Sequence, residues 1–289
     1  MDRIALTTNP LRPPAPGFLP GLVDALTGDG VEVLLDSEAA AVIGSPAGAP
    51  SLRDLAPWAQ LVIVVGGDGS MLRAVHQMLP VMRPVMGVNS GRLGFLSFST
   101  ASEPADIATA LRTRDYRISE RALLDAVLLR DGKEINRVTA VNELTVTRRK
   151  VARMIHVEAT VCGQVLNHYH ADGLIVATPT GSTAYSMSAG GPVVAPDAGV
   201  LVLTPICPHA LNSRSVVVGD SEAIELRAWP TDDGDNVMFT ADGETACLLE
   251  PDDILRLQRS PNRLPLVVPG SGSFYETLRA KLKWHGSIV

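Results

Sequence analysis

The chain has 289 residues, 46% hydrophobic and 19% charged, which is enough apolar material for about two domains of ordinary size. This composition excludes disordered and fibrous proteins, and with aromatics at 4% the core is expected to be mainly Val, Leu, Ile and Ala. The net charge is −6, from 25 Lys and Arg against 31 Asp and Glu. An acidic chain without a basic tract is poorly suited to nucleic acid or to an anionic membrane, so we expect neither as a partner. If the protein binds a polyanion, it must do so through a few residues at one site and not through a broad positive surface.

The three cysteines, Cys162, Cys207 and Cys247, are scattered and form no Cys-x-x-Cys pair. An odd, dispersed set predicts reduced thiols rather than a disulfide or zinc framework. The sequence shows no long apolar segment of a secretory signal, and no stretch approaches the ~20 apolar residues of a membrane span. We therefore expect a cytoplasmic protein.

Residues 1–120 alternate short apolar runs with helical patterns. The predicted elements are strands Ile4–Thr8, Val31–Leu35, Leu61–Val65 and Pro84–Val88 and helices Leu22–Leu26, Met71–Leu79 and Glu103–Arg112. Residues 37–50, rich in Ala, Gly and Pro, predict a mobile surface connection. Strands that alternate with helices predict an α/β domain with a parallel sheet.

Residues 121–269 show a different pattern, in which apolar and polar residues alternate with period 2. The predicted strands are Ile155–Val161, Val165–His170, Leu174–Ala177, Ile224–Trp229, Val237–Thr240 and Ile254–Leu257. Strands separated by turn residues predict a second, mostly antiparallel β domain. Phe274–Trp284 returns to helical spacing, and we expect residues 270–289 to pack back on the first domain.

The most informative motif is Gly66-Gly67-Asp68-Gly69-Ser70, which stands between a buried strand and a helix. Glycines let the backbone approach a ligand, and N–H groups at a helix start can face phosphate oxygens. Arg73, one turn further on, could add guanidinium N–H donors to the same phosphate oxygens. Asp68 could accept a proton from an attacking hydroxyl or hold a metal, or it could simply bond its own backbone in a tight turn. The motif is neither a P-loop nor a dinucleotide fingerprint.

A second segment, from Asp172 to Ser188, joins a strand to a loop dense in hydroxyl residues. Small hydroxyl side chains beside exposed backbone suit hydrogen bonds to a sugar or an amide. The same residues could form a Ser/Thr-rich surface loop that caps a helix. A serine nucleophile is a third reading, but the Gly-x-Ser-x-Gly pattern is missing.

Taken together, Gly66-Gly67-Asp68-Gly69, Asn142-Glu143, and Asp172-Gly173 running into Thr178–Tyr185 resemble the NAD kinase family. The order and spacing match over residues 60–245, roughly, and the Thr-Pro-Thr-Gly-Ser-Thr-Ala-Tyr run is far more specific than the glycine loop. The resemblance implies an N-terminal α/β domain and a C-terminal β-rich domain that binds NAD, with the active site between them.

The resemblance also implies residue roles. Asp68 matches the catalytic aspartate, and Gly69 and Arg73 match positions near the phosphates. The other implied substrate- or cofactor-binding residues are Asn142, Glu143, Arg153, His170, Asp172, Thr183, Ala184, Tyr185, Ser186, Ser188 and Glu244. Glu244 departs from the family, which often has glutamine there, and an ionised carboxylate can only accept hydrogen bonds.

The implied reaction transfers a phosphoryl group from ATP or polyphosphate to the adenosine ribose 2′-hydroxyl of NAD, forming NADP. It implies Mg²⁺ or another divalent cation held by the donor phosphates, with no protein ligand assigned, and a homodimer or homotetramer. Two alternatives stay open: a lipid or sugar kinase that shares the glycine loop, and a non-catalytic nucleotide-binding regulator.

Overall fold

The computed structural model describes residues 1–45, 48–89, 93–97, 103–149, 154–231, 236–270 and 272–284. The chain divides into two units, which we treat separately: unit 1 is Met1–Glu120 with Leu264–Val289, and unit 2 is Arg121–Arg263. Within the described ranges, no helix combines the length and apolar character needed to cross a bilayer.

Unit 1 is an α/β unit. Up to the unit boundary its elements are β1 (Arg3–Thr8), α1 (Phe18–Gly28), β2 (Glu32–Leu35), α2 (Ser37–Val42), α3 (Leu52–Leu55), β3 (Leu61–Val65), α4 (Asp68–Met78), β4 (Val85–Val88) and α5 (Pro104–Thr113). The strands lie in the order β2-β1-β3-β4 and pair in parallel. The predicted α/β class and parallel sheet are confirmed.

The middle of this sheet is fully apolar because both of its faces are covered. All five residues of β3 are buried, as the uninterrupted apolar run Leu61–Val65 predicts. The core on this sheet includes Leu6, Leu22, Ile63 and Ile107. Helix α4 buries Met71, Val75 and Met78 of the apolar pattern that predicted this helix, together with Ala74, whereas Leu72 and Leu79 of the same pattern are only partly buried.

The prediction for residues 37–50 is wrong at its start, where Ser37–Val42 forms helix α2. Asp36 caps this helix by accepting from the N–H of Ala39 at 2.8 Å, and Thr7 on β1 donates to the other carboxylate oxygen at 2.6 Å. A side-chain acceptor satisfies a backbone donor that has no partner within the helix, and this stabilises so short an element.

Unit 2 is mostly β. Its elements and those that follow are β5 (Tyr116–Arg130), β6 (Lys133–Ala140), β7 (Glu143–Arg148), β8 (Ile155–Val161), β9 (Gln164–Ala171), β10 (Gly173–Ala177), a 3₁₀ turn (Gly181–Thr183), α6 (Tyr185–Ser188), β11 (Val200–Ile206), β12 (Val216–Gly219), β13 (Ile224–Pro230), β14 (Val237–Ala241), β15 (Thr245–Leu249), β16 (Ile254–Pro269) and α7 (Phe274–Leu282). The long strands β5 and β16 continue across the boundary between the units. Leu266 and Val267 of β16 belong to unit 1 and pair there in parallel with β4.

The sheets of unit 2 are antiparallel. One has the order β12-β11-β10-β7-β14-β15, and in the other β13 pairs with β8 and with the first part of β16, while β8 also pairs with β9. The core contains Tyr169, Phe239 and many aliphatic side chains. The predicted antiparallel β class is therefore confirmed, and strand Ile155–Val161 has the predicted bounds.

Candidate active site

The glycine loop of unit 1 connects β3 to α4. Gly67 is the N-cap of α4 and Asp68 is its first residue. At Gly66 a Cβ atom would lie 2.5 Å from Oγ of Ser70, so the loop packs too closely for a side chain there. The loop thus places the Asp68 carboxylate at a helix N-terminus, where the exposed ends of backbone N–H groups favour negative charge.

The Asp68 carboxylate is anchored by a second loop, formed by Phe95, Leu96 and Ser97. The N–H groups of Phe95 and Leu96 donate to it at 2.8 and 3.0 Å. The N–H and the hydroxyl of Ser97 donate at 3.3 Å each. Gly94 precedes this loop, and a Cβ there would overlap the Asp68 carboxylate. Sequence reasoning missed this loop because three of its four donors are backbone N–H groups.

Arg73 projects from α4 and pairs with Glu38 of α2. The pair lines a cavity together with Thr8, Asn9 and Gln77. This cavity lies at the carboxyl end of β1, which is the edge where ligands of open α/β sheets commonly bind. Glu38 and Asn9 were not singled out from the sequence, which marks neither with a motif.

In unit 2, Asn142 and Glu143 lie where β7 begins, beside the end of β10, since Glu143 is paired with Ala177. The segment after β10 bonds back to them, because the N–H of Thr178 donates to the carbonyl of Asn142 at 2.8 Å. A Cβ at Gly181 would overlap the Asn142 carbonyl. Close backbone contact therefore fixes the hydroxyl-rich loop against the Asn-Glu pair.

The hydroxyls of that loop are mostly buried and bonded within unit 2. The described bonds run from Thr178 to the carbonyl of Val141 (2.7 Å), from Ser182 to the carbonyl of Pro179 (2.7 Å), from Thr183 to the carbonyl of Thr180 (3.2 Å), and between Ser186 and Thr204 (2.9 Å). Tyr185 and Ser188 are exposed, and Ala184 is partly exposed. The structure thus leaves Tyr185 as an exposed ring at this end of the sheet.

Glu143 is buried, and its Oε2 has no hydrogen-bond partner. Burial, together with the charge of Asp242, raises the pKa of Glu143 to about 7, against a bond from the Tyr185 N–H that lowers it. Asp242, which sequence reasoning did not assign to the site, lies in the turn between β14 and β15. Glu244 is exposed in the same turn, where its N–H donates to the carbonyl of Ala241 at 3.0 Å.

His170 and Asp172 lie at the opposite end of β10 from Thr178, about 20 Å away along an extended strand. Asp172 forms an ion pair with Arg148 at 2.8 Å. The His170 ring stacks on His156, with centroids 4.6 Å apart. Within unit 2 these two residues are therefore not brought together with Asn142 and Tyr185. Arg153 lies outside the described residues.

Across the part of the chain that the structure describes, no three His, Cys, Asp or Glu side chains are grouped to hold a metal ion. The three cysteines are free.

Unit 1 places a carboxylate directly after a glycine loop at the edge of a parallel sheet, and unit 2 carries a hydroxyl-rich loop at one end of an antiparallel sheet. Together these features indicate a kinase that binds nucleotides. The family models described as ATP-NAD kinase N-terminal domain and ATP-NAD kinase C-terminal domain match residues 53–116 and 141–268. The chain belongs to the NAD kinase family, which confirms the resemblance seen in its motifs.

Curated relatives agree along the whole length. The NAD kinase of Symbiobacterium thermophilum is 40% identical over 98% of this chain and 99% of its own length, and that of Moorella thermoacetica is 36% identical over 99% and 91%. Among solved structures, an NAD kinase from Archaeoglobus fulgidus in complex with ATP superimposes with a TM-score of 0.76 at 27% identity, over 98% of this chain and all of that one. Yeast NADH kinase complexed with NADH gives 0.86 at 23% identity, over 100% and 89%, and shows the fold alone. The lipid- or sugar-kinase and regulator alternatives are not favoured.

Proposed function

We propose that this protein transfers the terminal phosphoryl group of ATP to the adenosine ribose 2′-hydroxyl of NAD, forming NADP. The observation that carries the proposal is Asp68, a carboxylate anchored at the start of α4 behind the glycine loop, in a chain whose relatives are NAD kinases. The relative solved with ATP supports ATP as the donor, and polyphosphate stays the second donor to be tested.

In this proposal Asp68 orients the attacking hydroxyl and accepts its proton. A ribose hydroxyl is a very weak acid, so its proton leaves late, while the phosphoryl group is already separating in a loose transition state. Positioning then contributes more than basicity. The bonds from Phe95, Leu96 and Ser97 support this role because they fix the orientation of the carboxylate.

A divalent cation, Mg²⁺ in our proposal, would offset the negative charge of the donor phosphates beside Asp68. Mg²⁺ usually keeps water and substrate phosphate oxygens as ligands rather than a cage of protein groups. The proposed phosphate contacts of this chain are backbone N–H groups and the Arg73 guanidinium, none of which binds a cation. The cation would therefore be bound by the phosphate oxygens of ATP and would enter the site with it. We assign the phosphate contacts to Gly69 and Arg73.

We assign NAD binding chiefly to unit 2. The proposed contacts at the Asn142 end of β10 are Asn142, Glu143, Thr183, Ala184, Tyr185, Ser186, Ser188 and Glu244. Two observations support this assignment: the ring of Tyr185 is exposed to a ligand, and the buried Oε2 of Glu143 has no hydrogen-bond partner within the chain. Asp172, His170 and Arg153 stay candidates. In these terms unit 1 is the phosphate-handling domain and unit 2 the NAD-binding domain.

We also propose a homodimer or homotetramer in the cytoplasm. The three free cysteines support a reducing compartment. The assembly proposal rests on the family resemblance, and light scattering on the purified chain tests it.

The deciding experiment measures NADP formation from NAD by the full chain with Mg²⁺, comparing ATP with polyphosphate. Asp68→Asn is expected to lower kcat by about 10²–10⁴-fold while the melting temperature is retained. Asp106→Asn is the matched control, because it removes the same charge from the first turn of α5 in unit 1. Wild-type turnover in a folded Asp68→Asn protein, or NAD binding without NADP formation by the wild type, would contradict the proposal.

A further inference from the structure

The turn between β14 and β15 organises the Asn142 end of unit 2 through a single side chain. The Asp242 carboxylate accepts three consecutive backbone N–H groups, those of Val141 and Asn142 at 2.8 Å each and that of Glu143 at 3.1 Å. The N–H of Asp242 returns to the carbonyl of Glu143 at 3.0 Å. Asp242 has a φ of 49°, the left-handed conformation that Asp tolerates in turns.

These bonds fix the backbone from which two proposed NAD contacts project. The segment is also held from its other side, where Thr178 bonds to Asn142 and Val141. A charged acceptor that satisfies several amides forms strong hydrogen bonds. Asp242 therefore sets where the Asn142 and Glu143 side chains start, although its own carboxylate is turned toward the backbone.

The second consequence of Asp242 concerns the charge of Glu143. Glu143 is 8% exposed, its buried Oε2 has no hydrogen-bond partner, and the N–H of Tyr185 on α6 donates to the carboxyl group. Among the charged side chains of the described residues, Asp242 is the one that acts on it. Burial and this like charge raise the pKa of Glu143 to about 7. At slightly acidic pH its free oxygen thus carries a proton and can donate.

We propose that Asp242 is a positioning residue for NAD binding, which fixes the backbone at residues 141–143 and keeps Glu143 in the neutral form that donates a hydrogen bond to an acceptor atom of the substrate. This inference rests on the proposed function. It predicts that NAD binding weakens when Glu143 loses its proton, because a buried carboxylate then faces the same acceptor with no hydrogen to share.

The test is the Kd of NAD, measured by calorimetry between pH 5.5 and 8.5 on the full chain without ATP, so that titration of the ATP phosphates does not contribute. For the wild type, Kd is expected to rise about tenfold across an inflection near pH 7. Glu143→Gln, whose amide donates at every pH, is expected to keep the tight, low-pH Kd throughout. Asp242→Asn is expected to weaken binding at all pH values and to move the inflection to lower pH.

Asp125→Asn is the control, because Asp125 is a buried carboxylate of the same unit that accepts from Thr139 at 2.7 Å. It is expected to leave both Kd and the inflection unchanged. A wild-type inflection that persists in Glu143→Gln, or stays in place in a folded Asp242→Asn, overturns the inference. If Asp242→Asn does not fold, Glu143→Gln decides the role of the Glu143 proton, and Asp242→Glu, which keeps the charge but displaces the acceptor, replaces it as the test of Asp242: weaker NAD binding at every pH is expected, and a wild-type Kd overturns the positioning role. A wild type that forms no NADP overturns the proposed function instead, which separates the two failures.

Discussion

The backbone N–H of Phe95 donates to Oδ2 of Asp68 at 2.8 Å, across 27 positions of sequence. The carboxylate proposed to orient the attacking hydroxyl is therefore held by a loop that itself carries no catalytic side chain. Because amide donors are fixed by the backbone, the orientation of Asp68 depends on how closely that loop approaches, and this closeness can be changed without altering Asp68.

Gly94→Ala tests the dependence on approach. The added Cβ would overlap the Asp68 carboxylate and lie 2.5 Å from Oγ of Ser97, so the Asp68 side chain must shift. We expect kcat for NADP formation to fall by up to about 10²-fold, since small displacements of a positioned group are costly. Gly28→Ala, with open space around its Cβ position, is the control. Unchanged kcat in Gly94→Ala would show that Asp68 tolerates displacement.

Gly181→Ala addresses the corresponding contact in unit 2. A Cβ at Gly181 meets the Asn142 backbone, which cannot give way as a flexible side chain would. We expect a loss of about 1–3 kcal/mol in the free energy of unfolding and a raised KM for NAD. Urea denaturation and initial rates measure the two effects. Gly199→Ala, whose Cβ would make only ordinary contacts of 3.7 Å or more, should show neither.

Arg73→Ala tests the proposed phosphate contact. Loss of a charged donor, worth about 1.5–3 kcal/mol, is expected to raise the KM for ATP by at least roughly tenfold, and Arg73→Lys should recover part of it. Arg112→Ala, on the exposed surface of α5, is the matched control. If the KM for ATP stays constant while the melting temperature falls, Arg73 acts through its pair with Glu38 rather than on the donor.

Glu143→Gln is expected to change how stability depends on pH. The pKa of Glu143 is about 7 in the folded chain against an ordinary 4.5, so the folded state binds the proton more tightly. Its contribution to folding is complete below about pH 4.5 and is lost as pH rises through 7. The free energy of unfolding of Glu143→Gln, relative to that of the wild type, should therefore rise by on the order of 3 kcal/mol from pH 5 to pH 8. Urea denaturation at both pH values measures this, with Glu225→Gln as control, and a constant difference would contradict it.

Local pattern predicted those elements whose formation depends on their own residues. The apolar run Leu61–Val65 predicted β3 to the residue, because a strand covered on both faces has no polar alternation. Strand β16 was predicted only as Ile254–Leu257, yet it runs to Pro269 through Pro261 and Pro265. Proline interrupts a strand where a ladder bond is needed and is tolerated where none is, and only the neighbouring strands decide which case applies.

The residues of the site likewise separate into those that the sequence identified and those that only the tertiary structure revealed. The sequence by itself determined the family, the glycine loop with Asp68, and the pairing of Asn142-Glu143 with the hydroxyl-rich run, because these are chemical identities at short spacing. Only the tertiary structure decided what holds them: the amides of residues 95–97 on Asp68, Glu38 on Arg73, and Asp242 on residues 141–143. Backbone N–H groups are the same at every residue, so where they converge on Asp68 and Asp242 depends on the fold and leaves no mark in the sequence. The Arg73–Glu38 pair joins side chains 35 positions apart, and the fold alone brings these together.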